Sequence, residues 1–295
     1  MARSNVSERM EGRNMRYVGY LKDGQVFIGA LEKGAIRSLA PVDEFYRDVD
    51  GALARGGGEV LAASAVTFVP PVPATSRIFC VGINYRDHAL EAMAVAGIEE
   101  PKVPMIFGRW ASTLVVDGTP VPVPPNEQGL DWEVELAVII GRKTWAATDR
   151  NAMDAVVGYT AFNDLSARIK QMETRQFTLG KNSDYSGPIG PSVVTKDEVD
   201  DVDNLRVVAR VNGAVMQDAN TKDFIHSIPR IISYITDTVT LLPGDVIATG
   251  TPSGVGVGRK PPLFLKPGDV VEVEVEGIGV VRNPIVSRES LASQT

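Results

Sequence analysis

The sequence predicts an α+β fold that is mainly β. Short apolar segments separated by Gly-containing turns fill residues 17–38, and two Pro-Gly-Asp turns, at 243–245 and 267–269, each precede a Val-rich segment. Such runs are typical of strands bounded by tight turns. Strands and helices do not alternate regularly along the chain, which disfavours a doubly wound parallel sheet and a TIM barrel.

The first 70 residues are predicted to form a polar tail and a small β-rich domain. Residues 1–14 lack an apolar pattern and are interpreted as a flexible tail. Residues 15–70 contain a β-meander with turns at Asp23-Gly24 and Lys33-Gly34, followed by a helix over 42–54. The segment PPVP at 70–73 is a stiff extended connector because of its prolines. We therefore place a domain boundary near residue 70.

The elements after this connector are predicted from their local patterns. Apolar runs predict strands over 78–83, 132–140 and 158–163. Helices are expected over 87–96, ended by Gly97, and over 227–235, with Pro229 in the first turn. A further helix is predicted over 148–157, with Thr148 as its N-cap and Gly158 as its end. The larger domain spans 71–286, and residues 287–295 are interpreted as a second tail.

The composition excludes several classes of protein. The 295 residues carry 30 Lys and Arg against 37 Asp and Glu, a net charge of −7, which argues against nucleic-acid or anionic-membrane binding. The single cysteine, Cys80, excludes a disulfide framework and a multi-Cys zinc site. No apolar stretch reaches the ~18 residues of a spanning helix, and the polar N-terminus lacks a secretory signal. We expect no membrane partner and a cytoplasmic location.

Two carboxylates enter a buried strand in the segment DWEVELAVII at 131–140. Residues two apart share one face of a strand, so Glu133 and Glu135 lie together, and both faces become apolar by the strand's end. Buried charge must be compensated, either by a divalent cation or by facing Lys or Arg side chains. The segment VEVEVE at 271–276 is a contrast, because its clean Val/Glu alternation is typical of a half-solvated strand. The spacing alone is therefore a weak signal.

Four more residues are candidates for a site. Asp164 follows a strand, where it is typical of a turn or cap; joined to the two Glu residues it would suit a hard cation, Mg²⁺ or Mn²⁺, sometimes Ca²⁺. His88 and Glu91 lie three apart and would share a helix face. An imidazole oriented by a carboxylate can act as a general base near neutral pH. Lys181 lies in a Gly-flanked turn, where lysine is usually solvated.

The glycine-rich segment TGTPSGVGVG at 249–258 has the composition of a phosphate-binding loop but not its pattern. No Gly-Lys-Ser or Gly-Lys-Thr follows it, and Pro261-Pro262 prevents a helix from opening there. Its glycines also lack the dinucleotide-binding spacing. The sequence therefore assigns this segment no ligand.

Together these segments resemble the fumarylacetoacetate hydrolase family over residues 77–284. Each is common alone, but their order and spacing are specific. The segments that carry the resemblance are VGINYRDH at 81–88 with Glu91, PMIF at 104–107, DWEVEL at 131–136, NDLSAR at 163–168, Gln171, GK at 180–181, GPIGP at 187–191, PGDV at 243–246 and GTPSG at 250–254.

The resemblance implies a catalytic domain built as a mixed β-sandwich roll, preceded by a small β-rich domain, in a homodimer. It implies a mobile lid over residues 88–101. Arg109 occupies a region where many relatives carry a Lys, and it is expected to replace that substrate-binding charge. The implied roles are Mg²⁺ or Mn²⁺ binding by Glu133, Glu135 and Asp164, catalysis by His88, Glu91 and Lys181, and substrate contact by Gln171, Thr251 and Arg109.

The resemblance also implies a small 2-oxo acid substrate and leaves three functions open. The first, which the retained His88–Glu91 pair favours and which we predict, is hydrolysis of a C–C bond in a β-diketo acid, an acylpyruvate or a diketo-deoxy sugar acid, with His88 activating water. The second uses the same metal enolate for oxaloacetate decarboxylation or for keto–enol or double-bond isomerisation. The third is a catalytically silent fold used for binding. That third hypothesis predicts loss of the charged site residues, and all of them are retained.

Overall fold

The computed structural model describes residues 15–56, 58–174 and 176–292, so the predicted tail at 1–14 lies outside the described residues. Strands are β1 Arg16–Lys22, β2 Gln25–Glu32, β3 Ala35–Pro41, β4 Val60–Ala62, β5 Thr67–Val69, β6 Arg77–Gly82, β7 Met105–Trp110, β8 Leu114–Val115, β9 Val121–Val123, β10 Leu130–Asp131, β11 Val134–Ile140, β12 Val156–Asn163, β13 Ser166–Ala167, β14 Gly187–Thr195, β15 Arg206–Val211, β16 Ala214–Asn220, β17 Val246–Ala248, β18 Val270–Val275 and β19 Gly279–Ser287. Helices are α1 Val42–Arg47, α2 Val49–Ala54, α3 Arg86–Ala96, α4 Arg168–Met172, α5 Thr178–Lys181, α6 Ile228–Thr236 and α7 Arg288–Ala292. The mainly β class is as predicted.

A large mixed sheet joins the N-terminal strands to the rest of the chain. Its order is β4-β3-β2-β1-β14-β12-β11-β17-β6-β7. The predicted meander forms β1 to β3, and β1 pairs antiparallel with β14 through Arg16↔Val194 and Tyr17↔Val193. Strand β17 pairs in parallel with β6, whereas the other neighbours on this path are antiparallel. The division into two domains near residue 70 stays a prediction.

The core lies on both faces of β11, at the centre of this sheet. Leu136 and Val138 face a second sheet, ordered β16-β15-β18-β19-β9, and pack in one cluster with Val207 and Val273 from it. Ala137 and Ile139 face the opposite side and share a cluster with residues from α1 and α2. All of β11 is buried, as the apolar pattern predicted. Glu133 and Glu135 therefore approach the interior from the start of a two-sided strand.

The helix predicted over 148–157 is wrong. The side chain of Asn151 accepts hydrogen bonds from the backbone N–H and the hydroxyl of Thr148, which closes a turn rather than capping a helix. A short 3₁₀ turn, Ala152–Ala155, follows, and β12 then begins at Val156. β-branched Val156 and Val157 favour the strand. Gly158 does not end an element but lies within β12, opposite Thr195.

Other predicted elements keep their type but change their limits. The helix over 42–54 is divided by Asp48, whose side chain accepts a hydrogen bond from the N–H of Gly51 and caps α2. Helix α3 ends at Gly97, which adopts the left-handed conformation with φ 66° as predicted for this position. Ser227 caps α6 by accepting from the N–H of Arg230.

The described part of the second predicted tail, residues 287–292, belongs to two elements. Ser287 is the last residue of β19, and α7 covers 288–292. The side chain of Arg288 lies 2.6 Å from Asp184, which gives this terminal helix a contact far away in the sequence. Within the described ranges, no helix is long and apolar enough to cross a membrane.

Candidate active site and metal centre

Three carboxylates converge where β11 begins and β12 ends. Each of Glu133, Glu135 and Asp164 offers an oxygen within 4.8 Å of the others, and all three side chains are buried. The antiparallel register places Val134 opposite Asn163, so Glu133 and Asp164 become neighbours across the two strands. The backbone N–H of Asp164 donates to the carbonyl of Glu133 at 3.0 Å, which holds the two residues together. We name Glu133, Glu135 and Asp164 the acidic triad.

Buried cations surround two members of the acidic triad. The ammonium of Lys181 lies 2.7 Å from oxygens of both Glu133 and Asp164. Arg168 forms an ion pair with Glu133 at 2.7 Å, and Arg109 forms one with Asp164. The ion pairs expected under one hypothesis are therefore present, and the same carboxylates also lie close enough together to bind a metal ion. Lys181 is the last residue of α5, and it is buried instead of solvated because its ammonium contacts the triad.

Glu135 is the member whose charge is left uncompensated. Burial, together with the carboxylates of Asp164 and Glu133, raises the pKa of Glu135 well above its ordinary value. Burial also raises the pKa of Glu133, but Lys181 and Arg168 outweigh this effect and lower it to about 2. Among the described residues Glu135 forms no ion pair, and its Oε2 accepts the N–H of Gly250 at 2.8 Å. An added cation at the triad would supply the missing positive charge.

The acidic triad fits a divalent metal ion. Its donors are carboxylate oxygens without His or Cys, which is the ligand chemistry of hard cations. With buried Asp131 included, four carboxylates face three cations, Arg109, Arg168 and Lys181, so one negative charge is in excess when all four carboxylates are ionised. Close spacing, burial and this excess all favour a dication over a simple salt-bridge network.

His88 and Glu91 form the pair predicted from their spacing. Both lie on α3, and Nδ1 of His88 is 2.9 Å from Oε2 of Glu91. This contact favours the tautomer with its proton on Nδ1, which leaves Nε2 free to exchange a proton with a ligand. The other Glu91 oxygen, Oε1, accepts the N–H of Gly254 at 3.2 Å. Both oxygens of this carboxylate are therefore engaged.

We name His88 and Glu91 the dyad. The dyad and Glu133 of the acidic triad line one cavity of about 90 Å³. Its polar wall contains the dyad, one triad member and several cationic or amide groups, and its remaining wall is apolar. Glu135 and Asp164 are buried and are not among the lining residues. The polar lining residues are His88, Glu91, Glu133, Arg168, Gln171, Lys181 and Thr251.

The structure places the three predicted substrate contacts differently. Gln171 and Thr251 line the cavity; Gln171 accepts from Arg168 at 2.9 Å, and Thr251 accepts from Gln217 at 2.9 Å. Arg109 is not among the residues that line it, so its substrate contact stays a prediction from the sequence. Its guanidinium is buried and donates to Asp164, to the hydroxyl of Ser186 and to the carbonyl at residue 165. Arg109 therefore stabilises a triad carboxylate.

Two residues of the site were not singled out from the sequence. Arg168 lies on the cavity wall between Glu133 and Gln171. Asp131 is buried behind Arg168 and accepts from its Nε at 2.8 Å. The segment NDLSAR carried the resemblance and contains Arg168, so the signal was present there. Asp131 is likewise contained in the segment DWEVEL, but one Asp before a strand is common and gave it no role of its own.

Comparison with known proteins identifies the family. Residues 77–286 match the family model "Fumarylacetoacetate (FAA) hydrolase C-terminal". The chain is 46% identical over 229 residues to "Oxaloacetate tautomerase FAHD2A, mitochondrial" of Bos taurus, covering 77% of this chain and 72% of that protein. The fold matches 2-hydroxyhepta-2,4-diene-1,7-dioate isomerase from Mycobacterium marinum (TM-score 0.78, 32% identity, 93% and 99% of the two chains). It also matches fumarylacetoacetate hydrolase from Exiguobacterium antarcticum (TM-score 0.77, 35% identity, 93% and 100%). The chain therefore belongs to the fumarylacetoacetate hydrolase family.

Proposed function

We propose that the protein is a metal-dependent keto–enol tautomerase that acts on oxaloacetate or a closely related small 2-oxo acid. The observation that carries this proposal is the placement of the His88–Glu91 dyad and the Lys181 ammonium on one small cavity beside the acidic triad. The relative from Bos taurus, 46% identical, is named an oxaloacetate tautomerase, which supports the choice of reaction. Mg²⁺ or Mn²⁺ is the proposed ion.

The dyad would carry the proton that the reaction moves. Tautomerisation transfers one proton between the carbon next to the 2-oxo group and the enol oxygen, and no other bond to carbon breaks. Nε2 of His88 would take this proton from the carbon and return it to the oxygen. Glu91 holds the imidazole at Nδ1 and would stabilise the imidazolium formed in between. A positioned acid–base group of this kind contributes about 10²–10⁴-fold to a rate.

The cations of the wall would bind the acid and stabilise the enolate. Lys181 and Arg168 line the cavity and can donate to a carboxylate or to an oxygen that gains charge. A dication held by Glu133, Glu135 and Asp164 would supply Lewis acidity toward the 2-oxo acid. The apolar residues Val81, Phe107 and Val255 on the same wall would exclude bulk water, which strengthens these electrostatic contacts.

Hydrolysis of a C–C bond is the second candidate, because the same dyad can activate water. A fold match named a fumarylacetoacetate hydrolase has nearly the same TM-score as the match named an isomerase. In a hydrolase, His88 would take a proton from water, the hydroxide would attack the distal carbonyl, and the C–C bond would break to leave an enolate. The homodimer and the cytoplasmic location remain predictions; the relative from Bos taurus is named mitochondrial.

One experiment separates the candidate reactions. Oxaloacetate in its enol form would be mixed with the Mg²⁺-loaded protein while ultraviolet absorbance reports conversion to the keto form, and products would be identified by NMR. A tautomerase accelerates conversion without new products; a decarboxylase yields pyruvate; a hydrolase cleaves acylpyruvates into two acids. His88→Ala should lose about 10²-fold or more of the rate, whereas His226→Gln, outside the cavity, should retain it. Cleavage of acylpyruvates without faster oxaloacetate conversion would reject the proposal.

A further inference from the structure

The glycine-rich turn at 254–258 contacts the catalytic dyad directly. The N–H of Gly254 donates to Oε1 of Glu91, and the 3₁₀ turn Gly256–Gly258 packs against α3. A Cβ added to Gly258 would overlap the Glu91 carboxylate and would lie 2.7 Å from its Cγ. A Cβ–C distance below 3.0 Å requires a shift. Only glycine at 258 therefore allows Glu91 to reach its observed position.

The same turn is fixed from its other side by a buried carboxylate. Asp131 accepts the N–H of Gly256 at 2.6 Å and the N–H of Val257 at 3.0 Å. It also accepts from Nε of Arg168 at 2.8 Å, and Arg168 in turn pairs with Glu133 of the acidic triad. One chain of contacts thus runs from the triad to the turn through Asp131.

The turn is itself part of the cavity, so its position matters to a ligand. Val255 and Val257 line the same cavity as His88, Glu91 and Arg168. A Cβ added to Gly256 would overlap the backbone carbonyl oxygen of Leu263. Any larger residue at 256 would therefore displace this turn. A displacement of this turn would change both the wall and the support of Glu91.

We propose that the turn at 254–258 is a positioning element that seats α3 and holds Glu91 in its hydrogen bond with His88. Gly258 and Asp131 are its positioning residues, and they act through Glu91 and the turn rather than by touching substrate. One Glu91 oxygen is bound by the turn and the other by His88, so the contact with the turn sets the orientation of the carboxylate. The catalytic consequence rests on the proposed function of the dyad.

The test measures the imidazole directly. The chain has two histidines, so the ring nitrogens of His88 and His226 can be resolved by ¹⁵N NMR and assigned with His88→Ala. In the metal-free wild type at about pH 8, we expect His88 as the Nδ1–H tautomer, because its Nδ1 lies 2.9 Å from Oε2 of Glu91. Gly258→Ala should move its signal toward the Nε2–H form, whereas that of His226 should not move. Gly58→Ala, whose added Cβ would make an ordinary 3.6 Å contact, is the matched control.

A double variant separates a displaced Glu91 from general misfolding. Gly258→Ala should lower the melting temperature, and Gly258→Ala/Glu91→Ala should recover most of this loss, because truncation at 91 removes the overlapping atoms. Unchanged His88 signals in Gly258→Ala, or no recovery in the double variant, would overturn the inference. Neither readout uses substrate or metal, so either result is independent of whether the protein is a tautomerase. If it is, Gly258→Ala should lower kcat by about tenfold or more with a smaller change in KM.

Discussion

The Lys181 ammonium lies 2.7 Å from Oε2 of Glu133, and both side chains are buried. Their pKa values move apart. Burial lowers that of Lys181, but Asp164 and Glu133 outweigh burial and raise it, while that of Glu133 falls to about 2. Both groups therefore stay charged over the physiological pH range. A buried pair of this kind is costly to break from one side, because the remaining charge is left without its partner.

Lys181→Met should destabilise the metal-free protein by about 3 kcal/mol, because it leaves Glu133 and Asp164 without their shared cation. Urea unfolding in chelator measures the effect. Lys170→Met is the matched control: Lys170 pairs with Glu173 on the surface, and its loss should change stability by less than about 0.5 kcal/mol. Equal effects of the two variants would contradict the placement of Lys181.

Chelator should lower the melting temperature of the protein, and Mg²⁺ should restore it, because the ion binds the folded chain alone. At a hundredfold excess over Kd the stabilisation is about 2.7 kcal/mol. Glu135→Gln should abolish the Mg²⁺ response, since it removes one triad carboxylate. Glu274→Gln, in the Val-rich strand β18, should keep the full response. A metal response that survives Glu135→Gln would exclude this residue as a ligand.

Metal-free protein should lose stability above pH 4.5 through Glu135. The ordinary pKa of a Glu carboxyl is 4.5, and in the folded chain the pKa of Glu135 is raised well above it. The folded state therefore binds the carboxyl proton of Glu135 more tightly than the unfolded state does. The stability that protonated Glu135 contributes is fully present below its pKa in the unfolded chain. It is lost as the pH rises toward its pKa in the folded chain. Glu135→Gln cannot titrate, so its stability should fall less between about pH 5 and about pH 8 in urea unfolding. Parallel curves for the two proteins would contradict the predicted shift.

Arg109→Met should weaken metal binding and stability rather than the apparent affinity for substrate. Its guanidinium is buried against Asp164 and Ser186, so its loss removes charge compensation from the acidic triad. We expect a stability loss of about 3 kcal/mol with KM changed less than kcat. Gln171→Ala, on the cavity wall, should do the reverse and raise KM with little effect on unfolding. If Arg109→Met raised KM strongly and left stability unchanged, the result would support the substrate contact predicted from the sequence instead.

The local elements that the sequence predicted well are those with strong periodicity or unambiguous ends. Strand β11 and helix α6 have such patterns, and Gly97 ends α3 as expected. The helix over 148–157 failed because its pattern of small and apolar residues fits a helix as well as a turn and a strand. Pairing of β12 with β11 and β14 decided the outcome, and that pairing involves residues distant in sequence.

The sequence pointed to Glu133, Glu135, Asp164, Lys181 and the His88–Glu91 pair as site residues, but it did not point to Asp131 or Arg168. Glu133 and Glu135 were visible because carboxylates in a buried strand are unusual. Arg109 was given a substrate contact, and Arg168 and Asp131 were not singled out, because spacing does not show which Arg faces which carboxylate. These pairings depend on the packing of β7, α4 and the turn at 254–258 around the triad.

The pairing of β1 with β14 matters for any attempt to express residues 77–286, the segment that matches the family model, without the N-terminal strands. A fragment starting at residue 77 would leave the flank of β14 bare at 193–194, in the middle of what is now a continuous ladder. Unpaired backbone N–H and C=O groups on a strand edge can form hydrogen bonds with a strand of another molecule. Exchanging the N-terminal meander between relatives would therefore require a first strand that matches β14 at residues 193–194.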